Sequence, residues 1–115
     1  MQVIFESRDI EGRQFQALAE QRVRFVLRRL RWLVPQASIR LSDVNGPRGG
    51  VDKRCQVEFT THGSGHIVST AMAADWRAAL ESALGRAAQR IVRSVRRSQQ
   101  RERTQPRHWP PAAGL

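Results

Sequence analysis

Two stripes of opposite character run along one long stretch of this chain, from Asp75 to about Arg103. At 100° per residue, Leu80, Leu84, Ala87, Ile91 and Val95 fall in one narrow sector, which predicts an amphipathic helix with that face on a core. Arg86, Arg90, Arg93 and Arg97 repeat at four, three and four residues and fill a second sector, roughly 100° or more from the first. The stretch holds eight arginines against Asp75, Glu81 and Glu102, which is half of the chain's net charge of +10. Like charges at these spacings repel by a few tenths of a kcal/mol per pair, and no acid of the helix stands among them. Such a helix packs with one face and offers the other to an external polyanion.

The upstream sequence supplies the layer it packs on. Gln2 to Ser7 is short, apolar and β-branched and reads as a first strand with Val3 and Phe5 on one face. Arg8 to Arg13 is a polar connection in which Gly12 is the available helix N-cap. From Gln14 to Val34 the pattern is helical: Phe15, Ala19, Val23, Val26, Leu30 and Leu33 share a face, and Arg24, Arg28 and Arg31 lie opposite. Arg22 and Arg29 fall at the margin, where stems cover the core and heads reach out, and Pro35 ends the helix. Ser38–Val44, Lys53–Thr61 and His66–Ala73 then alternate as three strands, with Ile39, Leu41, Cys55, Val57 and Phe59 inward. The turns between them are Asn45–Gly50 and His62–Gly65. Asp75 is the N-cap of the last helix, and Gly85 within it reflects a close neighbour or simple tolerance at about 1 kcal/mol relative to Ala.

The expected fold is therefore α+β, in the order βαβββα. It has a four-stranded mixed sheet, parallel between the first two strands and antiparallel beyond, with two helices packed on one face. Residues 1–103 form the domain, and residues 104–115, rich in proline, form a flexible tail whose Arg107, His108 and Trp109 can stack on or pair with single-stranded RNA.

Charge bounds the partner. Twenty Lys+Arg oppose ten Asp+Glu at a pI near 11.8, which points to nucleic acid or an anionic membrane surface. Nineteen of the twenty are Arg, whose planar fork suits phosphate, although a GC-rich genome produces the same bias. The single cysteine excludes an internal disulfide, and the acidic start and lack of a long apolar run lead us to expect a cytoplasmic protein with no membrane contact. Cys55, His62 and His66 lack a second sulfur ligand, so no metal and no cofactor are expected. The glycine-rich Asn45–Gly50 turn lacks the ending of a phosphate-cradling P-loop; it is a flexible hairpin tip, or else Arg48, Lys53 and its open backbone N–H groups grip a phosphate. Asp43 and Asp52 read as local charge balance for Arg48, Lys53 or Arg54. No motif orders the Ser, His and Asp residues into a nucleophilic constellation, so neither catalysis nor a small-molecule substrate is expected.

With the element order in hand, the chain resembles the bacterial hibernation-promoting factors, also called ribosome-associated inhibitor A or protein Y, over about residues 1–97. The resemblance rests on Ser7-Arg8 before Ile10-Glu11, on Arg54 entering the third strand, and on Ala71-Met-Ala-Ala-Asp-Trp-Arg-Ala-Ala-Leu-Glu81. Arg86, Arg93 and Arg97 fall where the family's last helix carries Lys or Arg. Arg77, Arg13 and the glycine-rich tip depart from its pattern, and the C-terminal dimerisation domain of the long forms is not in this chain. The resemblance implies a non-catalytic factor, monomeric off the ribosome, that occupies the tRNA and mRNA channel of the small ribosomal subunit and inhibits translation under stress. A general RNA-binding module or RNA chaperone without a defined ribosomal site is the alternative. Contact with ribosomal RNA is expected at Arg22, Arg24, Arg28, Arg29, Arg31, Arg54, Arg86, Arg90, Arg93 and Arg97.

Overall fold

Alternation of burial along the strands puts one face of the sheet inside and leaves the other to solvent. The computed structural model describes residues 1–44, 52–63 and 65–104, with the side chains of the last helix described through Gln99. β1 (Gln2–Ser7), β2 (Gln36–Asp43), β3 (Lys53–Thr60) and β4 (His66–Ala73) form one sheet in that spatial order. β1 and β2 are parallel, and the two other pairings are antiparallel. Ala37, Ile39 and Leu41, then Cys55, Val57 and Phe59, then Ile67 and Ala71 are buried, whereas Arg40, Arg54, Val68, Thr70 and Met72 on the opposite side are exposed. The class is α+β, with a four-stranded mixed sheet as the alternation requires.

The first helical region departs from the single helix expected over Gln14–Val34. The chain forms α1 (Ile10–Arg13) and α2 (Gln16–Val26), so the order along the sequence is β, α, α, β, β, β, α. Asp9, not Gly12, precedes the first turn, and Gly12 lies inside α1, buried against β1. Its place is set by Ser7, whose hydroxyl donates to the Asp9 carbonyl at 3.2 Å and accepts from the Asp9 N–H at 3.3 Å. A Cβ on Gly12 would collide with that hydroxyl.

Beyond Val26 the backbone tightens. Leu30 N–H donates to Leu27 O, Leu33 to Leu30 O and Val34 to Arg31 O, all at three-residue spacing. Leucines at 27, 30 and 33 explain the change: a turn of three residues stacks them in one line, whereas 3.6 residues per turn would swing one off the core. Leu27 and Leu33 are buried and Leu30 packs against the same cluster. Leu27 thus joins the core although it lies off the apolar face of a continuous helix.

α3 (Trp76–Thr104) covers the inner face over β3 and β4, and α1 and α2 lie against β1. Asp75 Oδ1 accepts the Ala78 N–H at 2.7 Å, which satisfies one of the open donors of the first turn. Leu80, Leu84, Ala87 and Ile91 are fully buried and Val95 partly so, with Trp76, Ala79 and Ala83 widening the stripe toward the start of the helix. Phe59 and Ile91 belong to this one core; burying side chains of that size contributes about 1.5–3 kcal/mol each. The Asn45–Gly50 turn and residues 105–115 of the expected tail lie outside the described residues.

The two helical glycines separate a packing constraint from simple tolerance. A Cβ on Gly85 meets nothing within 4 Å, so Gly85→Ala is expected to raise stability by about 0.5–1 kcal/mol in chemical denaturation. Gly12→Ala is expected to lower it, because Ser7 must give up its bonds to Asp9. A stabilising Gly12→Ala would show that α1 does not pack on β1 as described.

Candidate nucleic-acid interface

The strand registers define two ends of the sheet, and charge is sorted between them. At one end lie Ser7, Asp43, Lys53 and Ala73; at the other lie Gln2, Gln36, Thr60 and His66. The first end gathers acids. Asp9 Oδ2 accepts the Asp43 N–H at 3.2 Å, and Lys53 Nζ contacts Asp43 Oδ2 at 2.8 Å and the fully buried Asp52 at 3.4 Å. The hydrogen bond to Asp43, helped by the two negative charges and opposed by desolvation, raises the Lys53 pKa above its ordinary 10.5. Asp43 and Asp52 thus balance Lys53, as expected from the sequence. A cavity of about 570 Å³ at this end, lined by Phe5, Leu41, Arg8, Arg13 and Arg40 among others, is of mixed sign, with Arg40 facing Glu6 at 3.5 Å and Arg13 Nε bonded to the Ser7 carbonyl at 3.1 Å.

The opposite end is basic. Residues 21–42 and 82–101 contain no Asp or Glu at all, and the fold brings the two stretches together there. The turns after α2 reach this end because Gln2 N–H donates to Pro35 O and His62 N–H to Leu33 O. α3 starts beside the acidic end and runs antiparallel to β4, so its later turns arrive at the same place. A groove of about 350 Å³ lined by Val26, Arg28, Arg29, Leu30 and Val92 adjoins one of about 370 Å³ lined by Ala88, Gln89, Val92, Arg93 and Arg96. Val92 is common to both, which makes one surface with arginines of the turn on one side and of α3 on the other.

The ten expected arginines have different occupations. Arg29, Arg31, Arg93 and Arg97 are exposed, and no described residue pairs with them. Arg28 donates to the Phe25 carbonyl at 2.8 Å and its guanidinium lies 4.2 Å from the centre of the Phe25 ring, which holds it in place with other N–H groups free. Arg24 reaches back to the Met1 carbonyl at 3.4 Å. Arg22 is committed elsewhere: its Nε and Nη2 grip both oxygens of Glu81 at 2.8 and 3.1 Å, tying α2 to α3. Both side chains are about one-third exposed, so this pair contributes on the order of 1 kcal/mol or less. Arg54 stands on the outer face of the sheet near its acidic end, away from the groove. Arg96, absent from the expected set, lines the groove; its position about 40° from Val92 around the helix is the signal that could have found it.

Arg86 and Arg90 serve the sheet. They donate to the carbonyls of Thr70 and Val68 on β4, a strand with no neighbour on its outer side among the described residues. Four residues along a helix advance about 6 Å and two along a strand about 6.7 Å, so a four-residue arginine repeat matches alternate carbonyls of an antiparallel edge strand. Arg93 and Arg97 lie farther along α3, toward and beyond the His66 end of β4.

Cys55 is buried on β3, and desolvation pushes its thiol up to about 12, far from a thiolate nucleophile. His62 and His66 are exposed, His66 Nδ1 lying 3.3 Å from Glu58, and the described residues contain no group of three metal-binding side chains. No described helix is long and apolar enough to cross a membrane. No protein-family model matches the chain, and no curated protein matches it.

Removing both edge contacts in Arg86→Ala/Arg90→Ala leaves the β4 carbonyls open, so stability is expected to fall by about 1–3 kcal/mol and self-association to rise in sedimentation velocity. A monomeric variant of unchanged stability would show that these arginines do not seal the edge. The thiol of Cys55 gives a second expectation. Because it stays protonated in the folded chain when the unfolded one ionises near 9.0, the native state holds the extra proton and stability is expected to decline as pH rises from about 9 toward 12. Cys55→Ala should flatten that decline in alkaline denaturation curves; an identical slope would place the thiol nearer solvent.

Proposed function

We propose that this chain is a non-catalytic RNA-binding protein of the cytoplasm that docks its basic end on the small ribosomal subunit. There it occupies the channel used by tRNA and mRNA and holds the ribosome inactive under stress. The observation that carries the reading is the charge sorting: two acid-free stretches meet at one end of the sheet, and Arg29, Arg31, Arg93 and Arg97 stand there without partners among the described residues. Repulsion among them is relieved by a polyanion, and neutralising each phosphate releases counterions, which favours binding at low salt. The ribosomal destination comes from the resemblance to the hibernation-promoting factors, carried by Ala71–Glu81, in which Arg77 departs from the pattern, and by Arg86, Arg93 and Arg97. Arg28 and Arg96 extend the contact surface. Arg22, Arg86 and Arg90 support it from within, by joining the helices and fixing α3 along the sheet.

Co-sedimentation with small ribosomal subunits across a salt series tests this. Replacing Arg29, Arg31, Arg93 and Arg97 with Ala is expected to leave thermal stability nearly unchanged, since exposed unpaired charges are removed. Association should weaken at every salt concentration, and the log K against log salt plot should become shallower by roughly 0.7–0.9 for each phosphate no longer neutralised. Arg54→Ala should change little. Unchanged association and slope in the quadruple variant would exclude the basic end as the docking surface, and binding to free RNA without binding to subunits would favour a general RNA-binding module.

A further inference from the structure

Among the described residues, the basic end carries a large aromatic side chain that the fold leaves uncovered. Trp32 is 70% exposed, and among the described residues it makes no hydrogen bond and no ring contact. Its exposure follows from the tightened backbone: with Leu27, Leu30 and Leu33 stacked inward at three-residue spacing, residues 28, 29, 31 and 32 are turned outward together. An indole is thus held on the same turns as three exposed arginines, in a stretch without an acid. Phe25, at 53% exposure, shows the contrast, because the Arg28 guanidinium already covers its ring. Trp76, by further contrast, is buried under the start of α3.

The chemistry that fits an open indole bordered by cations is a flat ring attached to a phosphate. Nucleotides offer both, but in a duplex each base face is already stacked on its neighbours, so only unpaired nucleotides can place a face on Trp32. An acidic protein surface would satisfy the arginines while leaving the indole to a less specific apolar contact. We propose that Trp32 is a stacking platform for unpaired nucleotides of RNA, with Arg29 and Arg31 holding the flanking phosphates. The proposal rests on the RNA-binding reading and adds to it the part of the RNA that is recognised: single-stranded or looped segments in preference to continuous helix.

The test compares the full chain with Trp32→Ala and Trp32→Phe, titrated at one salt concentration into fluorescently labelled oligoadenylate and into a blunt RNA duplex with the same number of phosphates. Trp32→Ala should weaken oligoadenylate binding by about 5- to 100-fold, Trp32→Phe should recover most of that affinity, and duplex binding should hardly move. The thermal midpoint of Trp32→Ala should match the parent, since the side chain it removes lies in solvent. Equal weakening on both RNAs, or none on oligoadenylate, would overturn the stacking role and leave the RNA-binding reading standing. A parent chain that binds neither RNA would overturn both, and failure of Trp32→Ala to co-sediment with subunits, without any change on oligoadenylate, would overturn the stacking role by assigning the indole to a protein contact.

Discussion

A sheet with one apolar face depends on a helix long enough to cover it, and α3 meets that demand by lying antiparallel to β4 with Leu80, Leu84, Ala87 and Ile91 fully buried. Everything distinctive about the charged surface descends from that packing. Because the helix begins beside the acid-rich end of the sheet and is longer than the strand it covers, its later turns, with Arg93, Arg96 and Arg97, lie at the opposite end. The chain connecting α2 to β2 must reach that same end to begin a strand parallel to β1. A packing requirement therefore brings two stretches without Asp or Glu to the same end of the sheet.

The arginines illustrate how one residue type serves several physical ends. Arg22 uses its bidentate fork on Glu81 to join two helices. Arg86 and Arg90 occupy backbone acceptors of an edge strand, which removes a template for unwanted strand pairing. Arg28 is stacked on an aromatic ring and hydrogen-bonded to the backbone, losing freedom before any ligand arrives. Arg29, Arg31, Arg93 and Arg97 remain with their charge uncompensated by any described residue. A regular stripe of cations is thus a mixture of scaffold and surface, divided by where the neighbouring strand stops.

The strands were legible because alternation has one meaning on a sheet with a single buried face. β1 and β4 have the bounds read from the pattern, and β2 and β3 differ by only one or two residues at their ends. The capping acid of α3 and its apolar stripe were legible for a similar reason, since a 3.6-residue period over many turns admits few alternatives. The first helical region was harder, because its apolar residues satisfy two periods at once. Val26, Leu30 and Leu33 fit an α-helical repeat, whereas Leu27, Leu30 and Leu33 fit a three-residue one, and the choice between them depends on what the turn packs against.

The amino-acid sequence by itself determined the α+β class, the inward residues of the strands, the long amphipathic helix and the excess of positive charge, because each follows from local periodicity or composition. Tertiary structure alone decided which arginines are free, since Glu81 and the β4 carbonyls are partners distant in the chain and invisible to any helical period. It decided likewise that Trp32 faces solvent: the backbone tightens after Val26 to bring three leucines into the core, and that choice is made by the core they enter. The meeting of two acid-free stretches at one end of the sheet is the last such decision, and it follows from strand direction, which a one-dimensional pattern does not contain.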